Sequence, residues 1–182
     1  VLFRSQRAGY DAPPRTWEEL EEMAVNLTER ENGRIKRLGF VPNFGNSWLY
    51  IYGWMNGGEF MSADGRQCTL NDPRVVGALE WMTKVYDDLG GAETVYAFQS
   101  TFQGGDLDPF ITGKIAMKID GFWMLTGSLA QFGRNMNYAM APPPMPAAEL
   151  ARGRQPVSWV GGWCYAIPST ARNKDAAWEL IR

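Results

Sequence analysis

The chain has 182 residues, 45 % apolar and 21 % charged, and carries a formal net charge of −2. That suits one ordinary domain with a packed core, plus part of a second. Its charges are scattered with no basic stripe to meet phosphates, which argues against nucleic-acid binding, and no run approaches the roughly 20 apolar residues of a membrane-spanning helix.

Histidine is absent. This removes imidazole acid–base chemistry, Ser-His and Cys-His nucleophile pairs, and most zinc sites. The two cysteines, Cys68 and Cys164, are far apart and in no metal-ligand spacing; they read as small buried apolar residues more readily than as a disulfide, although an exported protein would permit one. No cofactor and no metal is expected. Aromatic residues reach 13 %, with eight tryptophans. Either the core is large, or some indoles line a cleft.

The opening Val1-Leu2-Phe3-Arg4-Ser5 matches the translation of a common sequencing adapter and is set aside from the fold reasoning. Pro13-Pro14 precludes a continuous helix and leads into Thr16-Trp17-Glu18-Glu19, a capping-box pattern. Trp17, Leu20, Met23, Ala24 and Leu27 then share one helical face, and Asn32-Gly33 is read as the stop. The basic cluster Arg34, Lys36 and Arg37 reads as a solvated turn. Residues 38–41 form a short buried strand ended by Pro42. The segment 47–56 is apolar nearly all round, as a fully buried helix would be, and Gly57-Gly58 closes it. Asp64-Gly65 is a turn.

Asp72-Pro73 pairs a cap with proline at the first helical position, and Val75, Leu79, Met82, Tyr86 and Leu89 mark a helix running to Gly90-Gly91. Asp108-Pro109 starts a short helix stopped by Gly113, and residues 115–119 form a strand. Asp120-Gly121 turns the chain into a helix from Phe122. Tyr138-Ala139-Met140 is a short strand emptying into a proline-rich loop that runs through Gln155. Residues 163–167 form a last strand, and Asn173 caps a final helix that the sequence leaves without a stop signal. Helices alternate with short strands throughout, which predicts an α/β fold with helices covering a sheet.

Six segments, in order, resemble the family-1 extracellular solute-binding proteins of ABC sugar importers, the maltose-binding-protein relatives. They are Pro14-Arg15-Thr16-Trp17-Glu18-Glu19-Leu20, Trp54-Met55-Asn56-Gly57-Gly58, Thr69-Leu70-Asn71-Asp72-Pro73, the stretch from Asp108 to Met117 followed by Asp120-Gly121-Phe122-Trp123, the stretch from Val157 to Trp163, and Ala176-Ala177-Trp178-Glu179. The resemblance spans nearly all of the chain after Ala12. It implies a type II periplasmic-binding-protein-like fold: two α/β lobes joined by a hinge, with ligand between them. Residues 1–12 would be adapter-like sequence and linker, 13–155 the second lobe, and 156–182 the start of a return into the first. It further implies a carbohydrate ligand, ABC permease subunits as partners, a periplasmic or extracellular place, and membrane attachment only through a lipid anchor or the permease.

A sugar ring offers a C–H-rich face to an indole and a rim of hydroxyls to short polar side chains. Three places supply both. In Asp120-Gly121-Phe122-Trp123, which follows a strand, Trp123 matches the family's cleft tryptophan; the competing roles are core anchoring for Trp123 and helix capping for Asp120. In Gly161-Gly162-Trp163, Gly162 and Trp163 are the candidates, against a simple bend between lobes, with Trp159 equally suited to hinge packing. In the loop 43–48, Asn46 and Trp48 are the candidates, against capping and core packing. Trp17 and Trp54 read as core and Asn56 as part of a helix stop. The other functions considered are a carbohydrate-active hydrolase, for which Asp106, Asp108 and Asp120 are the available carboxylates, and a sugar-sensing protein on the same fold.

Overall fold

A computed structural model describes residues 8–158, 160–161 and 164–182. The first element, α1 (Trp17–Asn26), is set by its N-terminus. The Thr16 hydroxyl accepts from the Glu19 N–H at 3.2 Å, and the Glu19 carboxylate accepts from the Thr16 N–H at 3.3 Å. The five apolar residues of its predicted face are all buried. Trp17 stacks on Trp81, with centroids 4.4 Å apart, and its indole N–H donates to the Pro144 carbonyl at 3.2 Å.

Asn32-Gly33 does not stop α1, which ends six residues earlier at Asn26. Both residues have positive φ, 52° and 77°, the signature of a tight two-residue hairpin turn. They join β1 (Glu29–Glu31) to β2 (Arg34–Arg37), an antiparallel pair. The basic cluster is therefore strand rather than turn, with Arg37 paired to Glu29 at 2.8 Å. Opposite charges across the ladder suit an exposed hairpin better than a bare turn would.

The segment 38–41 is fully buried but forms only an isolated parallel bridge, Leu38 with Ile115. Its contact with α1 is unusually close. A Cβ on Gly39 would fall 2.1 Å from the Ala24 carbonyl oxygen, so only glycine lets the segment lie against the helix backbone. The Thr28 hydroxyl accepts from the Gly39 N–H and donates to the Ala24 carbonyl, binding the two together.

Helix α2 (Leu49–Met55) is shorter than predicted and not buried all round: Ile51, Tyr52, Gly53 and Met55 are buried, while Leu49, Tyr50 and Trp54 are half-buried. Trp54 packs on Tyr50 and Phe60, at the margin of the core. The Tyr52 hydroxyl donates to the Pro42 carbonyl at 3.0 Å, and burial pushes its ionisation far above the usual tyrosine range. Gly57 and Gly58 close the helix by donating to the Trp54 and Gly53 carbonyls, and Asn56 reaches the Arg74 carbonyl, as a helix-stop residue should.

Helix α3 (Pro73–Asp88) begins as predicted, with Asp72 accepting from the Arg74 N–H at 2.8 Å, and packs along α2. Leu79, placed on its apolar face by the sequence, points outward instead and is exposed. Helix α4 (Ala92–Gln99), which the sequence reading missed, follows directly; only Val95 of it is buried, so its periodicity is weak. A 3₁₀ turn at Gly105–Leu107 and α5 (Pro109–Thr112) come next, the latter capped by Asp108 and stopped by Gly113.

The single helix expected from Phe122 is two, α6 (Trp123–Thr126) and α7 (Ser128–Phe132), interrupted at Gly127. The proline-rich loop contains α8 (Ala147–Ala151), and α9 (Lys174–Ile181) follows Asn173, whose side chain makes no capping bond. The strands expected at 115–119 and 138–140 are not regular ladders: Ile115 and Ile119 make one bridge each, and 138–140 carries none. The strand expected at 163–167 begins outside the described residues, and 164–167 are not strand.

The organisation remains α/β, with helices packed over buried extended segments. One hydrophobic core runs through α1, 38–41, α2, α3 and Ile115, with a small satellite at Met23, Leu27 and Ala116. Both cysteines are exposed free thiols rather than core residues. Cys68 is bridged antiparallel to Met61 in an exposed segment.

Candidate functional site

The extended segment 115–119 places the site. Its start is held by the buried segment 38–41, through Ala116 N–H to the Leu38 carbonyl and Met117 N–H to the Gly39 carbonyl, both 2.8 Å. Its end receives the loop 43–48: the Asn46 N–H donates to the Ile119 carbonyl at 2.9 Å, and Gly45 bridges Ile119 in parallel. Two of the sequence-predicted candidates, Asn46 and Asp120, therefore sit on adjoining segments. Ser47 sharpens the loop by bonding the Phe44 backbone with its hydroxyl.

Beyond Asp120 the chain turns at Gly121 and enters α6 with Trp123. That indole is 45 % exposed, so it does not anchor its helix in the core. Phe122, beside it at 6.1 Å between ring centroids, is more exposed still. Asp120 does not cap α6 either; its Oδ1 accepts from the Gly121 N–H at 2.8 Å and its Oδ2 faces Lys118. Trp48 is 49 % exposed at the start of α2, outside the core, and no ring contact joins it to Trp123 among the described residues. Trp163 and Gly162, and Trp159 with them, lie outside the described residues.

The sequence reading missed Lys118. Its side chain is 6 % exposed, and its ammonium donates to Asp108 Oδ2 at 3.0 Å and forms an ion pair with Asp120 Oδ2 at 2.7 Å. The Met124 sulfur lies 3.7 Å away and the Phe44 ring 5.2 Å away. Strand alternation was the available signal, since residues 118 and 120 share a face and carry opposite charges. Asp108, read as a cap, does cap α5 through the Phe110 N–H at 2.8 Å and holds Lys118 with its other oxygen. Of the three carboxylates weighed for hydrolysis, two are thus engaged by one ammonium. A glycosidase acid needs its carboxyl free to hand a proton to the leaving group.

A cavity of about 410 Å³ lies between the end of this extended segment and the segment 138–144, within the range of small-ligand sites. Lys118, Asp120, Gly121 and Phe122 border it together with Met117, Tyr138 and Met140. No group of three or more metal-ligating side chains is present among the described residues. Trp123, Trp48 and Asn46 do not border the cavity, so it offers the fixed acceptors of Asp120, and the half-exposed Trp123 indole lies outside its lining.

The profile for bacterial extracellular solute-binding proteins matches residues 2–182. A probable ABC transporter-binding protein of Deinococcus radiodurans is 25 % identical over 199 residues, covering 97 % of this chain and 42 % of the relative. Among solved structures, CpMnBP1 with mannobiose bound is similar at TM-score 0.71 and 29 % identity, over 79 % of this chain and 37 % of that one. With mannotriose bound, the same protein matches at the same TM-score of 0.71. An ABC transporter solute-binding protein from Thermotoga lettingae, bound with α-D-tagatose, is similar at TM-score 0.71 and 22 % identity, covering 98 % and 44 %; that likeness is one of fold. The chain spans less than half the length of each of these relatives.

Proposed function

Since this chain belongs to the bacterial extracellular solute-binding protein family, we propose that the protein captures a carbohydrate and delivers it to the permease of an ABC importer. Residues 13–155 serve as the second of two hinged lobes, and residues 156–182 begin the return into the first. Relatives more than twice as long support that division, as does α9, none of whose residues is buried. Ligand bridging the two lobes gains more contacts in the closed form than in the open one and so biases the hinge toward closure. The protein acts outside the cytoplasm, held near the membrane by a lipid anchor or by the permease alone.

The observation that carries this reading is the half-exposed Trp123 indole, three residues beyond Asp120, at the end of the extended segment whose Ile119 carbonyl receives the Asn46 N–H. An indole stacks on the C–H face of a sugar, and Asp120 and Asn46 answer its hydroxyls. Trp48, Gly162 and Trp163 belong to the same proposed ligand surface. Binding proceeds without chemistry; Asp108 and Asp120, two of the three carboxylates weighed for hydrolysis, are both held by Lys118.

Calorimetry on the full-length protein with mannobiose, mannotriose and tagatose tests the reading. Saturable binding of at least one is expected, with the sugar recovered intact after long incubation. Silence across the panel, or turnover of any member, would overturn it.

A further inference from the structure

We infer that this site selects neutral, hydroxyl-rich saccharides and rejects anionic ones such as uronic acids and sugar phosphates. The inference rests on the carbohydrate-binding reading and narrows its ligand class. Among the described residues, Lys118 and Asp120 are the only charged side chains that border the cavity.

A buried lysine beside a sugar cleft would ordinarily attract a carboxylate or phosphate. Here its ammonium is already engaged: it donates to Asp108 Oδ2 at 3.0 Å and to the Met124 sulfur at 3.7 Å, and it is ion-paired with Asp120 Oδ2 at 2.7 Å. The trio of one ammonium and two carboxylates carries a formal charge of −1, in a setting where both Asp side chains are largely shielded from solvent. Lys114, just before the extended segment, is taken up by the Thr101 carbonyl and hydroxyl. An incoming anion therefore finds no donor at the cluster and meets net negative charge. An incoming hydroxyl finds the remaining lone pairs of Asp120. At a separation of ~7 Å and an effective dielectric of ~30, the repulsion lowers anion affinity about tenfold.

The test uses the full-length protein and matched ligands: mannobiose, mannotriose and tagatose, each against the same sugar oxidised to a carboxylate at a primary carbon. The neutral form should bind about tenfold more tightly or better. Asp108→Asn keeps an acceptor for the Phe110 N–H and removes one negative charge, so the preference should shrink toward unity. Lys118→Met should widen it; if that variant does not fold, Asp108→Asn decides alone. Equal affinities, tighter binding of a carboxylate, or a ratio unmoved by Asp108→Asn overturns the inference while leaving sugar binding in place. No binding of any neutral or oxidised sugar removes both.

Discussion

The Trp123 indole lies so close to the α-carbon of Gly121 that a Cβ on residue 121 would fall 2.2 Å from two of its ring carbons. The glycine sets where the indole face points, because any side chain there pushes the ring aside. Gly121→Ala should therefore weaken sugar binding by about 1–2 kcal/mol while changing fold stability by less than about 0.5 kcal/mol, since the displaced ring is half in solvent. Calorimetry and thermal melting of the full-length variant read the two effects separately.

Removing the indole itself should cost more. Trp123→Ala is expected to weaken sugar binding by about 2–4 kcal/mol, the range for a stacked aromatic anchor. Its melting temperature should stay near the parent's, because 45 % of the residue is already exposed. An unchanged dissociation constant would return Trp123 to a packing role.

Gly39→Ala tests the core rather than the site. The added methyl would meet the Ala24 backbone, with the carbonyl oxygen at 2.1 Å and the carbonyl carbon at 2.7 Å, and neither atom can rotate away. Helix α1 and the buried segment 38–41 would have to separate. A loss of about 3 kcal/mol or more in urea unfolding is expected. A loss under about 1 kcal/mol would mean that the two elements part easily.

Acid stability should register the cap of α3. The Arg74 guanidinium, followed by the Arg74 backbone N–H, holds the Asp72 carboxyl down at about 2. A depressed folded-state value means that the stabilisation is present above the unfolded value near 4 and is lost as pH falls through about 2. Asp72→Asn keeps a capping oxygen but does not titrate. The urea midpoint of the parent should thus fall more steeply than that of the variant between roughly pH 4 and 2. Parallel curves would exclude Asp72 from acid unfolding.

Much of the helical framework was legible because its signals are local. Thr16 with Glu19, Asp72 with Pro73, and Gly57 with Gly58 each satisfy or end a turn of helix within a few residues. Asn32-Gly33 was misread despite an equally local signal, since the same pair can end a helix or turn a hairpin. The choice fell to the β1–β2 pairing and its charges. Helices α4 and α8 were missed because each buries a single residue, which leaves no apolar period to detect.

The sequence alone determined the α/β class, the family motifs, and the kinds of residue available at the site: indoles, short polar groups and no imidazole. Tertiary structure decided which of them meet. Asp108 and Lys118 are ten residues apart with the Gly113 stop between them, and Asn46 reaches Ile119 across more than seventy. Such contacts depend on how helices and extended segments pack around a shared core, and no local pattern of residues encodes that packing. Whether Trp123 faced solvent or core was likewise a matter of that packing, which leaves the residue 45 % exposed.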